Sequence, residues 1–92
     1  MSKYTLQLLR TIGMKTFMEY IRDFAYDTPT DVITGMMHKR GYSSNSIATK
    51  VSIGRKIFFE GLLYEALMII ANARNVDDYT RILARNELEA FK

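Results

Sequence analysis

The chain has no cysteine, which excludes disulfides and thiolate metal sites and leaves a reducing compartment unopposed. Its one histidine, His38, has no thiol or second imidazole to work with, so a histidine-based dyad or a zinc site lacks partners. The five glycines are isolated from one another, so no glycine-rich phosphate loop exists. The carboxylates Asp77, Asp78, Glu87 and Glu89 read as helix-start and solvent-face charges. No apolar run reaches the roughly 20 residues that span a bilayer; the longest, 61–73, carries Glu65. Residues 6–9 are too short for a signal-peptide core, and Arg10 interrupts them. These absences predict a cytoplasmic protein that is not an enzyme and uses no cofactor or metal.

One further absence is local. Between Val32 and Phe59 there is no aspartate or glutamate, in a chain that holds ten of them. The same stretch carries Lys39, Arg40, Lys50, Arg55 and Lys56, with His38 beside them. Residues 1–31 balance at zero charge and residues 60–92 are net acidic, so the formal +3 arises from this middle block. An acid-free basic block is what a face for a polyanion requires. The alternative is a chance run of solvated cations.

What is present is a globular composition, 48% apolar and 25% charged over 92 residues. That is one domain, 1–92, too short for a second core. Apolar residues at Leu9, Ile12, Phe17, Ile21 and Phe24 recur at helical spacing and predict a first helix over 4–26, weakened at Gly13. Asp27-Thr28-Pro29-Thr30-Asp31 is a restart, with Thr28 as cap and Pro29 at the first helical position. A second helix then runs to about Arg40, burying Val32, Ile33, Met36 and Met37, and stops at Gly41. Ser43 and Ser44 offer the next cap for a short helix ending near Val51. Ser52-Ile53-Gly54 reads as a tight break, followed by a long apolar helix from Arg55 to about Ala73. Asn75 and Asp78 mark the last helix, 76–91. The expected fold is all-α: five helices with a helix-turn-helix over about 43–62.

In that unit Ala48 is the small residue where two helices cross, flanked by Ile47 and Val51, with Ile53 in the turn and Phe58 anchoring the second helix. The run Gly41-Tyr42-Ser43, Ile47-Ala48, Val51, Ile53, Arg55-Lys56 and Phe58-Phe59 resembles the helix-turn-helix of tetracycline-repressor and LuxR-type regulators over about a fifth of the chain. Ser52 stands where glycine is commonest in the turn, and Phe59 replaces an aromatic hydroxyl usual in the former family. The resemblance therefore extends to the motif and not to a subfamily.

What the resemblance implies is sequence-specific binding of double-stranded DNA and regulation of transcription. Arg55 and Lys56 would read bases, Gly54 would let the backbone approach the duplex, and Phe59 would share that face or serve core or interface. Lys39, Arg40, Ser43, Ser44, Thr49 and Lys50 would hold phosphates. The cations could instead complement a helix dipole, and Ser43 could be a plain cap. Five cations in contact would give a log–log salt slope of about −4 to −5. A long helix apolar on nearly every side predicts a homodimer through Leu63, Leu67 and Ile70, with half-sites about 34 Å apart. The alternative is a small helical adaptor or inhibitor that docks this apolar helix on a partner protein.

Overall fold

The structure, a computed structural model, describes residues 3–26 and 28–91. Asp27, at the head of the expected restart, lies outside them. Among the described residues there are seven helices and no strand: α1 (Lys3–Ile12), α2 (Met14–Glu19), α3 (Ile21–Ala25), α4 (Thr30–Lys39), α5 (Ser44–Phe59), α6 (Leu63–Ala71) and α7 (Asp78–Glu89). The fold is all-α, as composition and periodicity predict. None of these helices is long and apolar enough to cross a membrane.

The single helix expected over 4–26 is three. Gly13 adopts φ +90°, a left-handed backbone that ends α1 and starts α2 at once. At Tyr20 the chain bends more gently, and the backbone bonds Tyr20 N–H to Thr16 (3.2 Å) and Phe24 N–H to Tyr20 (3.0 Å) carry through. The buried positions Leu9, Ile12, Phe17, Ile21 and Phe24 are all core, so the apolar pattern holds although the rod is broken.

At the restart, Pro29 sits one position before the helix rather than in it, and the Thr28 hydroxyl donates to Asp23 (3.2 Å) instead of capping. On α4, Ile33 and Met37 are buried, Met36 packs on the core edge, and Val32, expected inside, is exposed. Gly41 at φ +91° closes α4. Tyr42 N–H bonds to the Met37 carbonyl (3.2 Å) and Gly41 N–H to that of His38 (3.0 Å), a Schellman terminator.

The largest correction concerns 52–54. The break expected there does not exist: α5 runs unbroken through Ser52, Ile53 and Gly54. Gly54 keeps a helical backbone and is buried; a Cβ on it would lie 2.5 Å from two carbons of the Phe24 ring. It is a contact glycine, not a turn glycine. The chain turns instead at Gly61 (φ +70°), where Leu62 N–H bonds to Ile57 (2.9 Å) and Gly61 N–H to Phe58 (3.1 Å), a second Schellman terminator. The helix-turn-helix expected over 43–62 is therefore absent in that register, and the long apolar helix is split between α5 and α6.

That split removes the expected dimer contact. Leu67 and Ile70 have no exposed surface, and Leu63 packs against the same core. α6 has α1, α5 and α7 packed against it, which covers its apolar residues and leaves Tyr64 exposed on its outer side. The last helix starts two residues later than expected, with Asp77 as its N-cap residue and the Asp77 carboxylate accepting from the Thr80 hydroxyl. Arg81 donates to the carbonyls of Ala73 (2.9 Å) and Val76 (2.8 Å), tying down the connection before α7.

Candidate nucleic-acid interface

Because α5 is continuous, its 3.6-residue period sorts its side chains onto two faces. Ile47, Val51, Gly54 and Ile57 are buried. Ser44, Asn45, Ala48, Thr49, Ser52, Lys56 and Phe59 are exposed. At 100° per residue the exposed set occupies one arc of about 140°, and Asn45 to Phe59 spans roughly 21 Å of helix. The arc has hydroxyls, a carboxamide, methyl groups, one ammonium and the Phe59 ring, and no carboxylate.

The helix starts cleanly. Ser43 is the N-cap, its hydroxyl accepting from Ser46 N–H at 3.2 Å. That settles Ser43 as a cap, while Ser44 beside it is exposed. Four residues, Arg40 to Ser43, separate α4 from α5, with the left-handed Gly41 among them. Between these two helices runs an open groove of about 490 Å³. Thr30, Thr34, His38, Ser44, Ser52 and Arg55 supply its polar lining, again without a carboxylate. Asp31 at the start of α4 and Glu60 after α5 bound the region.

The cations nominated from the sequence divide sharply. Lys39 is exposed at the end of α4. Arg40 pairs with Glu19 and lies 5.8 Å from the centre of the Tyr20 ring. Lys50 points to the core side of α5, donates to the Ile12 carbonyl at 2.6 Å and sits 5.4 Å from the centre of the Tyr42 ring. That carbonyl belongs to the last residue of α1, where helical carbonyls lack intrahelical partners. Lys50 is thus the cap that lets α1 stop at Gly13.

Arg55, expected to read a base, donates to the Thr28 carbonyl across to the segment before α4. Lys56 lies on the arc, 3.8 Å from Glu60 and 5.8 Å from the centre of the Tyr4 ring. The Tyr4 hydroxyl beside it, then Glu60, hold its ammonium above the usual lysine pKa. Tyr4 in turn donates to Glu60 (3.1 Å). The Lys56–Glu60 pair is exposed, and such pairs contribute about 1 kcal/mol at most. Phe59 is 92% exposed at the end of the arc, so it is neither core nor anchored.

Of the expected base readers, then, Lys56 and Phe59 face outward together, Arg55 is committed to Thr28, and Gly54 is closed off by Phe24. Of the expected phosphate ligands, Lys39, Arg40, Ser43, Ser44 and Thr49 are exposed, Arg40 in its pair with Glu19 and Ser43 as the helix cap, whereas Lys50 is half-buried on the Ile12 carbonyl. The helix-turn-helix expected from the sequence leaves Asn45, Ala48 and Ser52 out of the contacts, and its crossing at 52–54 would turn Ala48 inward. The signal for all three is the same helical period, read from Ser44 without interruption. Among the described residues no His, Cys, Asp or Glu group could hold a metal ion.

No family model matches this chain, and neither a curated protein nor a solved structure matches it significantly.

Proposed function

We propose that the protein is a DNA-binding regulator of transcription whose helix-turn-helix is α4, the turn 40–43 and α5, with α5 as the helix that enters the major groove. The observation that carries this reading is the exposed arc of α5. It is a continuous helical face of hydrogen-bonding and methyl groups, with the Lys56 ammonium and Phe59 ring at its far end, free of carboxylate, inside an acid-free block. A major groove about 12 Å wide admits one helix, and base edges are read by short polar and methyl groups of this kind. A turn of four residues containing a left-handed glycine is the connection such units use. Lys39 at the turn and Lys56 near the far end of α5, the latter in an exposed pair with Glu60, are the cations proposed for phosphates, one at each end of the reading face.

Two such cations give a log–log salt slope of about −2, shallower than five would. The test is fluorescence anisotropy with a random duplex pool at low salt, comparing the parent chain with Ser52→Glu and Asn86→Glu. Both positions are exposed, on α5 and α7. Ser52→Glu places a carboxylate in the arc and is expected to abolish binding without lowering the melting temperature, while Asn86→Glu leaves binding intact. Duplex binding that is absent at low salt, or indifferent to Ser52→Glu, overturns the proposal.

A further inference from the structure

Resting on the reading of α5 as the groove helix, we infer that the site selects adenine·thymine pairs, with Asn45 reading adenine and the methyl groups of Ala48 and Thr49 meeting thymine. The argument starts from what each base offers in the major groove. Guanine presents two acceptors, matched by a forked or cationic donor from arginine or lysine. Cytosine presents a donor, matched by a carboxylate. Adenine presents an acceptor beside a donor, matched by a carboxamide, and thymine presents a methyl group.

From Ser44 to Ser52, the exposed side of α5 holds no cation and no carboxylate. The one lysine in that span, Lys50, faces the other way and holds the Ile12 carbonyl. Arg55, one of the two base readers the resemblance implies and the forked donor that would suit guanine, donates to Thr28. Neither guanine nor cytosine has its partner there. Asn45, by contrast, is exposed in the first turn of α5, and its carboxamide carries the donor and acceptor that adenine requires. Ala48 and Thr49, also exposed, lie three and four residues on. At 1.5 Å per residue that is roughly 4.5–6 Å along the helix. The base-pair rise is about 3.4 Å, so the amide and the methyl groups address pairs one or two steps apart. Ser52, which can donate or accept, closes the span without favouring either pair.

The experiment measures anisotropy of the full chain at one fixed low salt on duplexes of equal length. The set is a mixed A·T duplex, a mixed G·C duplex, the A·T duplex with 7-deazaadenine, and the A·T duplex with deoxyuridine for thymine. The expected result is A·T binding about tenfold or more tighter than G·C. That preference collapses when adenine N7 is removed or when Asn45→Ala is used. Loss of the thymine methyl weakens binding by about threefold. Equal affinity for A·T and G·C, or a G·C preference, overturns the inference while leaving duplex binding by α5 standing. So does an A·T preference that survives both 7-deazaadenine and Asn45→Ala, which would come from minor-groove shape. Failure to bind any duplex removes the inference together with the reading beneath it. The base analogues test the contact independently of any protein variant.

Discussion

Replacing Gly54 by alanine sets two effects of opposite sign against each other. In a helix interior, alanine is favoured over glycine by about 1 kcal/mol, because glycine loses more backbone freedom on folding. Against this, the new Cβ would lie 2.5, 2.5 and 2.7 Å from three carbons of the Phe24 ring. Comfortable carbon contacts are about 3.5–4.0 Å, so the overlap is roughly 1 Å. Phe24 has little room to retreat: it is buried, stacks on Phe17 at 6.0 Å between ring centres, and has Tyr20 at 6.5 Å on another side.

Phe17 is itself fully buried and 6.1 Å from Phe58. Overpacking of this kind costs about 1–3 kcal/mol. The net expectation is a loss of up to about 2 kcal/mol, which at that upper limit is roughly 8–16 °C in melting temperature for a domain of this size. Gly35, mid-helix in α4 with open space where its Cβ would be, is the internal control, and Gly35→Ala is expected to stabilise. Thermal and urea unfolding of both variants, with Phe24→Leu added to Gly54→Ala to measure the coupling, gives the answer. If Gly54→Ala gains stability alongside Gly35→Ala, the close packing of α3 on α5 is wrong, and with it the reason α5 does not break.

Three other expectations follow from single contacts. Lys50→Met keeps the aliphatic stem but leaves the Ile12 carbonyl without its charged donor. It should cost about 1–2 kcal/mol in urea unfolding at unchanged m-value. Tyr20→Phe should be neutral or stabilising by up to about 1 kcal/mol, because the Tyr20 hydroxyl is buried without a hydrogen-bond partner. In the parent chain burial should hold the titration of that phenol above the usual tyrosine range in a spectrophotometric pH scan. At Asp77 the Thr80 hydroxyl holds the carboxyl below the ordinary aspartate pKa. Its stabilisation is then complete above the unfolded pKa near 4 and is lost as pH falls through the depressed folded value. Melting curves between pH 5 and pH 2 should lose less in Asp77→Asn than in the parent, and a carboxyl NMR titration of Asp77 at or above the ordinary value would refute the assignment.

The sequence carried the helices well where periodicity and caps agreed. Gly41 ends α4 and Ser43 caps α5, because a left-handed glycine and a hydroxyl one turn before apolar spacing have few other uses. It misled at Gly54 and Gly61. Both glycines sit among apolar residues, and nothing local separates a glycine that turns the chain from one that admits a neighbouring ring. The difference is Phe24, thirty residues away and invisible to a local reading. The same limit applies to the cations: Lys50 and Arg55 look alike as solvent charges, yet the carbonyls they serve, at Ile12 and Thr28, exist as open acceptors only once α1 has stopped and the segment before α4 has folded back. What remained legible was the acid-free block, since the absence of carboxylates does not depend on register.

Lys50 grips an oxygen that carries no formal charge, so its own positive charge is not cancelled where it sits. An ammonium held this way cannot touch a phosphate, but its field reaches past the surface over a Debye length of about 8 Å at physiological salt. On the proposed reading, an approaching polyanion would meet two separate jobs: attraction during encounter would come partly from a group fixed for architecture, and discrimination after contact would fall to side chains with no charge at all.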